Sequence, residues 1–191
     1  MPSEDEARSG VEEDGVLMGR VQAGDEAALG VLMGRWELPV KSVIARMVLN
    51  AREAEELAQE TFVRVWQQRE KFRAGAEFRP WVFAIAVNLA RNRLRWWRRR
   101  PEVALDEWSE GDGAGGKEQG ARALERKERG AAVRDAIAAL PVKLREAIVL
   151  FEYEQMSYAE IAVAVGATPK AVETRIARAR EALRGALKRW V

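Results

Sequence analysis

From residue 14 onward the apolar positions recur at steps of three and four, and nowhere do they alternate as a half-buried strand would. The pattern predicts a series of amphipathic helices. Asp14 can cap a short one through Val16, Leu17 and Val21, which Gly24 breaks. Asp25 can cap the next, with Ala28, Leu29, Leu32, Met33 and Trp36 turned inward. Pro39 reads as the boundary before a third helix over 40–49, apolar at Val43, Ile44, Met47 and Val48. Asn50 then caps a strongly two-faced helix, with Glu53 placed as its reciprocal capping partner. Ala54, Leu57, Ala58, Thr61, Phe62, Val65 and Trp66 fall on its inner face. Glu53, Glu56, Gln59, Glu60 and Arg64 fall outside it. The segment 72–77, FRAGAE, reads as a loop broken at Gly75.

The stretch 78–101 carries the most chemistry. Pro80 suits a first helical turn, where its missing N–H costs nothing. Trp81, Ile85 and Leu89, with Val82 and Ala86 beside them, predict a buried stripe. Asn88, Arg91, Asn92 and Arg95 share another face. Arg98, Arg99 and Arg100 follow before Pro101. Arginine neutralises phosphate, asparagine can pair with a base edge, and Trp96 and Trp97 are placed to stack on an unpaired base. The plain alternative is a solvated helix face with a tryptophan pair in the core.

After Pro101 the periodicity stops. Residues 109–120, SEGDGAGGKEQG, hold glycine and charge but no aliphatic side chain larger than alanine, which reads as a flexible linker. It divides the chain into units near 14–100 and 121–191. The second starts with a helix over about 122–139, apolar at Leu124, Val133, Ile137 and Leu140. Pro141 opens another with Leu144, Ile148, Val149 and Phe151. Ser157 and Glu160 form a capping box for a short helix through Ile161 and Val165. Gly166 can end it at positive φ, Thr168 caps the following helix, and Pro169 fills its first position. Val172, Ile176, Ala179 and Leu183 face inward there. Lys170, Glu173, Thr174, Arg175, Arg178 and Arg180 are left for outside contacts. A short helix, a tight turn and a longer basic helix form a helix-turn-helix, which sets the start of its second helix into a major groove. A non-binding helical hairpin is the alternative. The fold class is therefore all-α: two small helical domains joined by a flexible linker, the C-terminal one a helix-turn-helix.

Composition narrows the chemistry. The 191 residues contain neither cysteine nor histidine, so disulfides, thiol catalysis, most zinc sites and the commonest general base are excluded. No carboxylate pair with metal spacing and no glycine-rich phosphate loop stands out, so neither an enzyme nor a cofactor is expected. The net charge is only +2, yet acidic residues crowd the first 14 positions and arginines crowd 91–100 and 175–189. That asymmetry points to polyanion contacts at particular places. Residues 1–13 read as a disordered acidic tail, either solubilising or competing with DNA for basic surface. No apolar run reaches the roughly 18 residues of a membrane span, and the polar start lacks a secretory pattern, so a cytoplasmic protein is expected.

Three motifs together resemble bacterial sigma factors of the extracytoplasmic-function (ECF) group of the sigma-70 family. AREAEELAQETFVRVW at 51–66 is similar to the family's core-polymerase-binding helix. FRPWVFAIAVNLARNRLR at 78–95 is similar to its promoter-melting, minus-ten-reading helix. The segment 139–184 is similar to its fourth conserved region, whose helix-turn-helix reads the minus-thirty-five element. The resemblance implies sigma region 2 over 14–100, a linker over 101–120 and region 4 over 121–191. It implies docking on the clamp helices of core RNA polymerase through Glu56, Gln59, Glu60 and Arg64. It implies a flipped-base pocket around the loop from Phe72 to Phe78, with Asn88, Arg91, Asn92, Arg95 and Trp96 at the melted minus-ten strand and Arg98 and Arg99 on phosphates. Lys170, Glu173, Thr174, Arg175 and Arg178 would meet the minus-thirty-five major groove. An anti-sigma factor is the implied regulator. The acidic start lies outside the family pattern. The function expected is promoter-specific transcription initiation; the rival reading is a stand-alone helix-turn-helix regulator.

Overall fold

The computed structural model describes residues 14–100 and 121–190, and of the second stretch the side chains from 128 onward. The tail over 1–13 and the linker over 101–120 lie outside the described residues. Among the described residues the regular structure is helical, with no strand. Helix α1 covers 14–22 and α2 Glu26–Val48. Then come α3, Ala51–Gln67, a 3-10 turn at Arg69–Lys71, and α4, Phe78–Arg99. The C-terminal unit holds α5, Ala121–Ala139, α6, Val142–Glu154, α7, Tyr158–Val165, and α8, Pro169–Ala186.

Local chemistry explains most boundaries. Asp25, Asn50, Ser157 and Thr168 each accept a hydrogen bond from a backbone N–H of the first turn that follows. The Ser157–Glu160 box is complete in both directions. Gly24 and Gly166 stand at φ 92 and φ 64, where a Cβ would be strained.

Three expectations about the first unit are corrected. Asp14 does not act as a cap: position 14 is already helical, and its buried carboxylate accepts from Arg35 at 2.8 Å and Trp36 Nε1 at 2.8 Å. Pro39 does not separate two helices, because α2 runs through it. The ring removes only the N–H that would reach the Arg35 carbonyl, while buried Val40, Val43, Ile44 and Met47 beyond it keep the helix anchored. Glu53 is not on the outer face of α3. It is buried and pairs with Arg93 of α4, while Asn50 Oδ1 still caps its N–H at 3.0 Å.

In α4 the buried stripe is rotated from the expected one. Val82, Phe83, Ala86, Val87 and Ala90 are fully buried, whereas Trp81, Ile85 and Leu89 flank them half-buried. The reason is that α4 packs on two sides: on α2 and α3 in its own unit, and on α7 of the other. Helix α6 also packs on α2. One hydrophobic cluster therefore runs from Leu17 to Ala179 through both units. Polar contacts cross the same seam. Arg145 of α6 donates to the Met47 carbonyl at 2.6 Å, and Arg46 of α2 lies 3.9 Å from the Tyr153 ring centre.

Candidate nucleic-acid interface

The outer surface of α3 and the C-terminal half of α4 face each other across an open groove of about 780 Å³. Glu56, Leu57 and Glu60 line one wall; Asn92, Arg93, Arg95, Trp96 and Arg99 line the other. The helical period puts the apolar side of each helix into the core and leaves these side chains at the rim. Glu56 pairs with Arg52 at 3.5 Å and Glu60 with Arg64 at 2.6 Å, both along the helix surface. Such exposed pairs are worth little and break readily for a partner. Gln59 is exposed beside them.

Helix α4 ends as expected in a cationic tip. Arg95, Arg98 and Arg99 are exposed, Asn92 accepts from Arg95, and the guanidinium of Arg100 lies 5.2 Å from the centre of the Trp96 ring. Trp96 is half-buried and lines the groove, where the guanidinium of Arg93 also lies over its ring, 5.8 Å from the centre. Trp97 is core, only 6% exposed, and cannot stack on a base.

Phe72 and Phe78, expected at a base pocket, are also core. They are 4% and 2% exposed and sit edge-to-face in a cluster with Trp36 and Trp81. Gln22 ties the loop's start down by donating to the Phe72 carbonyl at 2.8 Å. The loop between the two rings, 73–77, is exposed, so only its own residues are open to a ligand.

The helix-turn-helix of α7 and α8 forms as the sequence spacing predicts. Lys170, Glu173, Thr174 and Arg178 are exposed along the start of α8. Lys170 pairs with Glu173 at 2.8 Å, which holds its ammonium above the usual lysine range. Thr174 donates to the Lys170 carbonyl at 3.0 Å. Arg180 is turned sideways onto Glu152 at 2.8 Å. Arg175, expected outside, is instead directed toward the fully buried Glu146 of α6 at 3.4 Å. Arg91 of α4 reaches the same carboxylate. Its Nε donates to one oxygen at 2.6 Å and its Nη2 to the other at 2.7 Å. Arg91 also donates to Asn88 at 3.2 Å and to the Val165 carbonyl at 3.0 Å. Among the expected contact residues, then, Arg91 and Arg175 are turned inward.

Sequence reasoning missed Glu146, Arg79 and Arg93, and it placed Glu53 on the wrong face of α3. Arg79, near the start of α4, pairs with Glu160 of α7 at 3.5 Å and donates to the Glu154 carbonyl. Glu154 is held above the usual carboxylate range by burial, a shift that the nearby Arg79 and Arg46 partly oppose. Only Glu146 carries a sequence signal. With Arg145 it forms a charged pair inside the apolar run from Leu144 to Phe151. No group of acidic side chains that could hold a metal occurs among the described residues, and no helix there is long and apolar enough to cross a membrane.

Comparisons with known proteins give the family and the fold. Sigma-70 region 2 matches residues 32–100, and sigma-70, region 4 matches residues 130–183. The RNA polymerase sigma-H factor of Pseudomonas aeruginosa is 38% identical over 183 residues, covering 93% of this chain and 95% of that protein. The ECF RNA polymerase sigma-E factor of Escherichia coli is 32% identical over 176 residues, covering 89% and 92%. Among solved structures, CnrH in complex with the cytosolic domain of CnrY matches with a TM-score of 0.70 at 27% identity, over 94% of this chain and 99% of that one. The sigma factor RpoE bound to the anti-sigma factor NepR, from Bartonella quintana, shares the fold with a TM-score of 0.62 at 22% identity, over 83% and 96%. This chain belongs to the sigma-70 family as a member of its ECF group, an alternative sigma factor that directs transcription initiation.

Proposed function

We propose that the chain docks on core RNA polymerase through the outer face of α3, with Glu56, Gln59, Glu60 and Arg64 meeting the clamp helices of the largest subunit. The groove beside that face then takes the melted minus-ten strand. Asn88, Asn92, Arg95 and Trp96 meet its bases, and Arg98 and Arg99 hold its phosphates. The exposed start of α8, with Lys170, Glu173, Thr174 and Arg178, enters the major groove of the minus-thirty-five element. Phosphate contacts set affinity and salt dependence, while asparagine and threonine on base edges set the sequence. The polymerase supplies the catalysis. The observation that carries this reading is the groove itself, with acidic side chains of α3 on one wall and Asn92, Arg95, Trp96 and Arg99 on the other.

An anti-sigma factor that covers these faces is the regulator that fits best. Two of the similar solved structures are complexes: CnrH with the cytosolic domain of CnrY, and RpoE with the anti-sigma factor NepR. The cytoplasm, where the polymerase works, is the compartment this role requires.

The test is binding to core RNA polymerase by the wild type and by Glu56→Arg with Glu60→Arg. Sub-micromolar binding that the double variant loses supports the docking face. No binding by the folded wild type, together with specific binding to duplex DNA alone, favours a stand-alone regulator.

A further inference from the structure

A carboxylate that is wholly inside a protein is costly unless charged donors surround it, and removing one partner leaves that cost exposed. Glu146 meets this condition with two arginines drawn from the two helices assigned to DNA. Arg91 belongs to the polar face of α4 and grips both carboxylate oxygens at 2.6 and 2.7 Å. Arg175 belongs to the reading helix α8 and approaches one of them at 3.4 Å. Glu146 itself is 0% exposed, while the two arginine side chains retain 25% and 21% exposure. The guanidinium fork that grips a carboxylate in this way is the same set of donors that grips a phosphate. Arg91 commits the Nε and Nη2 edge of its fork to the carboxylate, and that edge cannot grip a phosphate at the same time.

We infer that Glu146 is an internal stand-in for DNA phosphate, a latch that holds Arg91 and Arg175 together and keeps the two DNA-reading units closed on one another until nucleic acid displaces it. This inference rests on the assignment of α4 and α8 to DNA. Two contacts near the other end of α4 support the latch geometrically. Arg79 bonds the Glu154 carbonyl of α6 and pairs with Glu160 of α7, so the seam between α4 and the second unit is fastened at both ends. When only a small fraction of molecules is open, apparent affinity for DNA falls by that fraction. Releasing the latch should therefore tighten DNA binding by about tenfold if roughly a tenth of molecules are open at rest.

The chain has no cysteine, so two introduced ones can be labelled cleanly. Val63 on α3 and Val163 on α7 are exposed at 47% and 61%, one on each unit. Val63→Cys with Val163→Cys, carrying a donor and an acceptor dye, reports closure by energy transfer. The probe is a short DNA duplex of mixed sequence with an unpaired bubble, at low salt and without polymerase. In the labelled wild-type background, adding this DNA should lower the transfer. In Glu146→Gln, which keeps the side-chain shape without the charge, transfer should already be low before DNA is added, and DNA should bind about tenfold more tightly. Transfer that saturating DNA leaves unchanged overturns the latch, whether or not the Gln variant folds. So does a Gln variant of native helicity whose DNA affinity and transfer match the wild type, or one that binds no DNA at all. Polymerase is absent from the assay, so failure of the docking face on α3 would leave these outcomes unaltered.

Discussion

Helices α4 and α8 carry the same chemistry, an Arg-rich polar face over an apolar stripe, yet the fold treats them differently. Helix α8 presents Lys170, Glu173, Thr174 and Arg178 to solvent and turns only Arg175 inward. Helix α4 is gripped on more than one side: Arg79 by α6 and α7, Arg91 by Glu146, and Arg93 by Glu53 of α3. Its exposed chemistry survives mainly toward the C-terminal end, at Asn92, Arg95, Arg98 and Arg99. A helix-turn-helix needs only its own unit to display its reading face. Helix α4 instead doubles as a docking wall for the second unit, which leaves mainly its C-terminal end open to solvent.

The comparison can be broken most severely at the core. Phe83 is fully buried in α4, with its ring centre 6.1 Å from that of Trp36. Phe83→Ala should cost about 3–5 kcal/mol by chemical denaturation. Because one hydrophobic cluster spans both units, the loss should appear as a single transition that lowers both together. Two separate transitions, with the C-terminal one unmoved, would show that α4 and α7 do not share stability.

Next in size is the reading face of α8. Thr174→Ala or Arg178→Ala should cost about 1–3 kcal/mol of discrimination at one upstream base pair, measured by competition among duplexes. By contrast, Arg98→Ala with Arg99→Ala should weaken binding alike on all sequences and reduce the logarithmic salt slope by about two. A sequence-dependent loss there would reverse the roles assigned to the helix tip. Smaller again, Ser157→Ala removes the capping box of α7, the helix on which α4 packs, and should cost about 1 kcal/mol.

The smallest effect sharpens the seam itself. Burial raises the Glu154 carboxyl above its usual range, so the folded chain holds this proton more tightly than the unfolded chain. The contribution of that group to stability is complete below its ordinary titration range and is lost as pH rises through the raised value. Glu154→Gln should therefore match the wild type in acid and exceed it by a few tenths of a kcal/mol near neutral pH. A variant less stable than the wild type at neutral pH would mean that Arg46 and Arg79 outweigh the cost of burial.

What the sequence made legible was local. Caps at Asp25, Asn50, Ser157 and Thr168 and the turn at Gly166 act within a few residues, and each forms as its spacing predicts. Misplaced features depend on partners far along the chain. Pro39 reads as a break because its ring removes one backbone bond, but the apolar residues on either side hold α2 together. The buried stripe of α4 reads one position off because the helix has two neighbours, and α7 lies beyond the linker. Phe72 and Phe78 look available on a loop until Trp36, 36 residues or more upstream in sequence, closes over the cluster they share with Trp81. Glu146 is marked in the sequence by the charged pair it forms with Arg145 inside an apolar run, but its main partner is not, because Arg91 is 55 residues away.

The most direct test of the two-helix account is transcription by core RNA polymerase plus this chain from a library randomised in both promoter elements, with Asn92→Ala and Thr174→Ala run beside the wild type. The account expects promoter-selective transcripts from the wild type, a changed preference confined to the minus-ten element for Asn92→Ala, and one confined to the minus-thirty-five element for Thr174→Ala. A wild type that selects no promoter, or two variants that shift the same element, would contradict it.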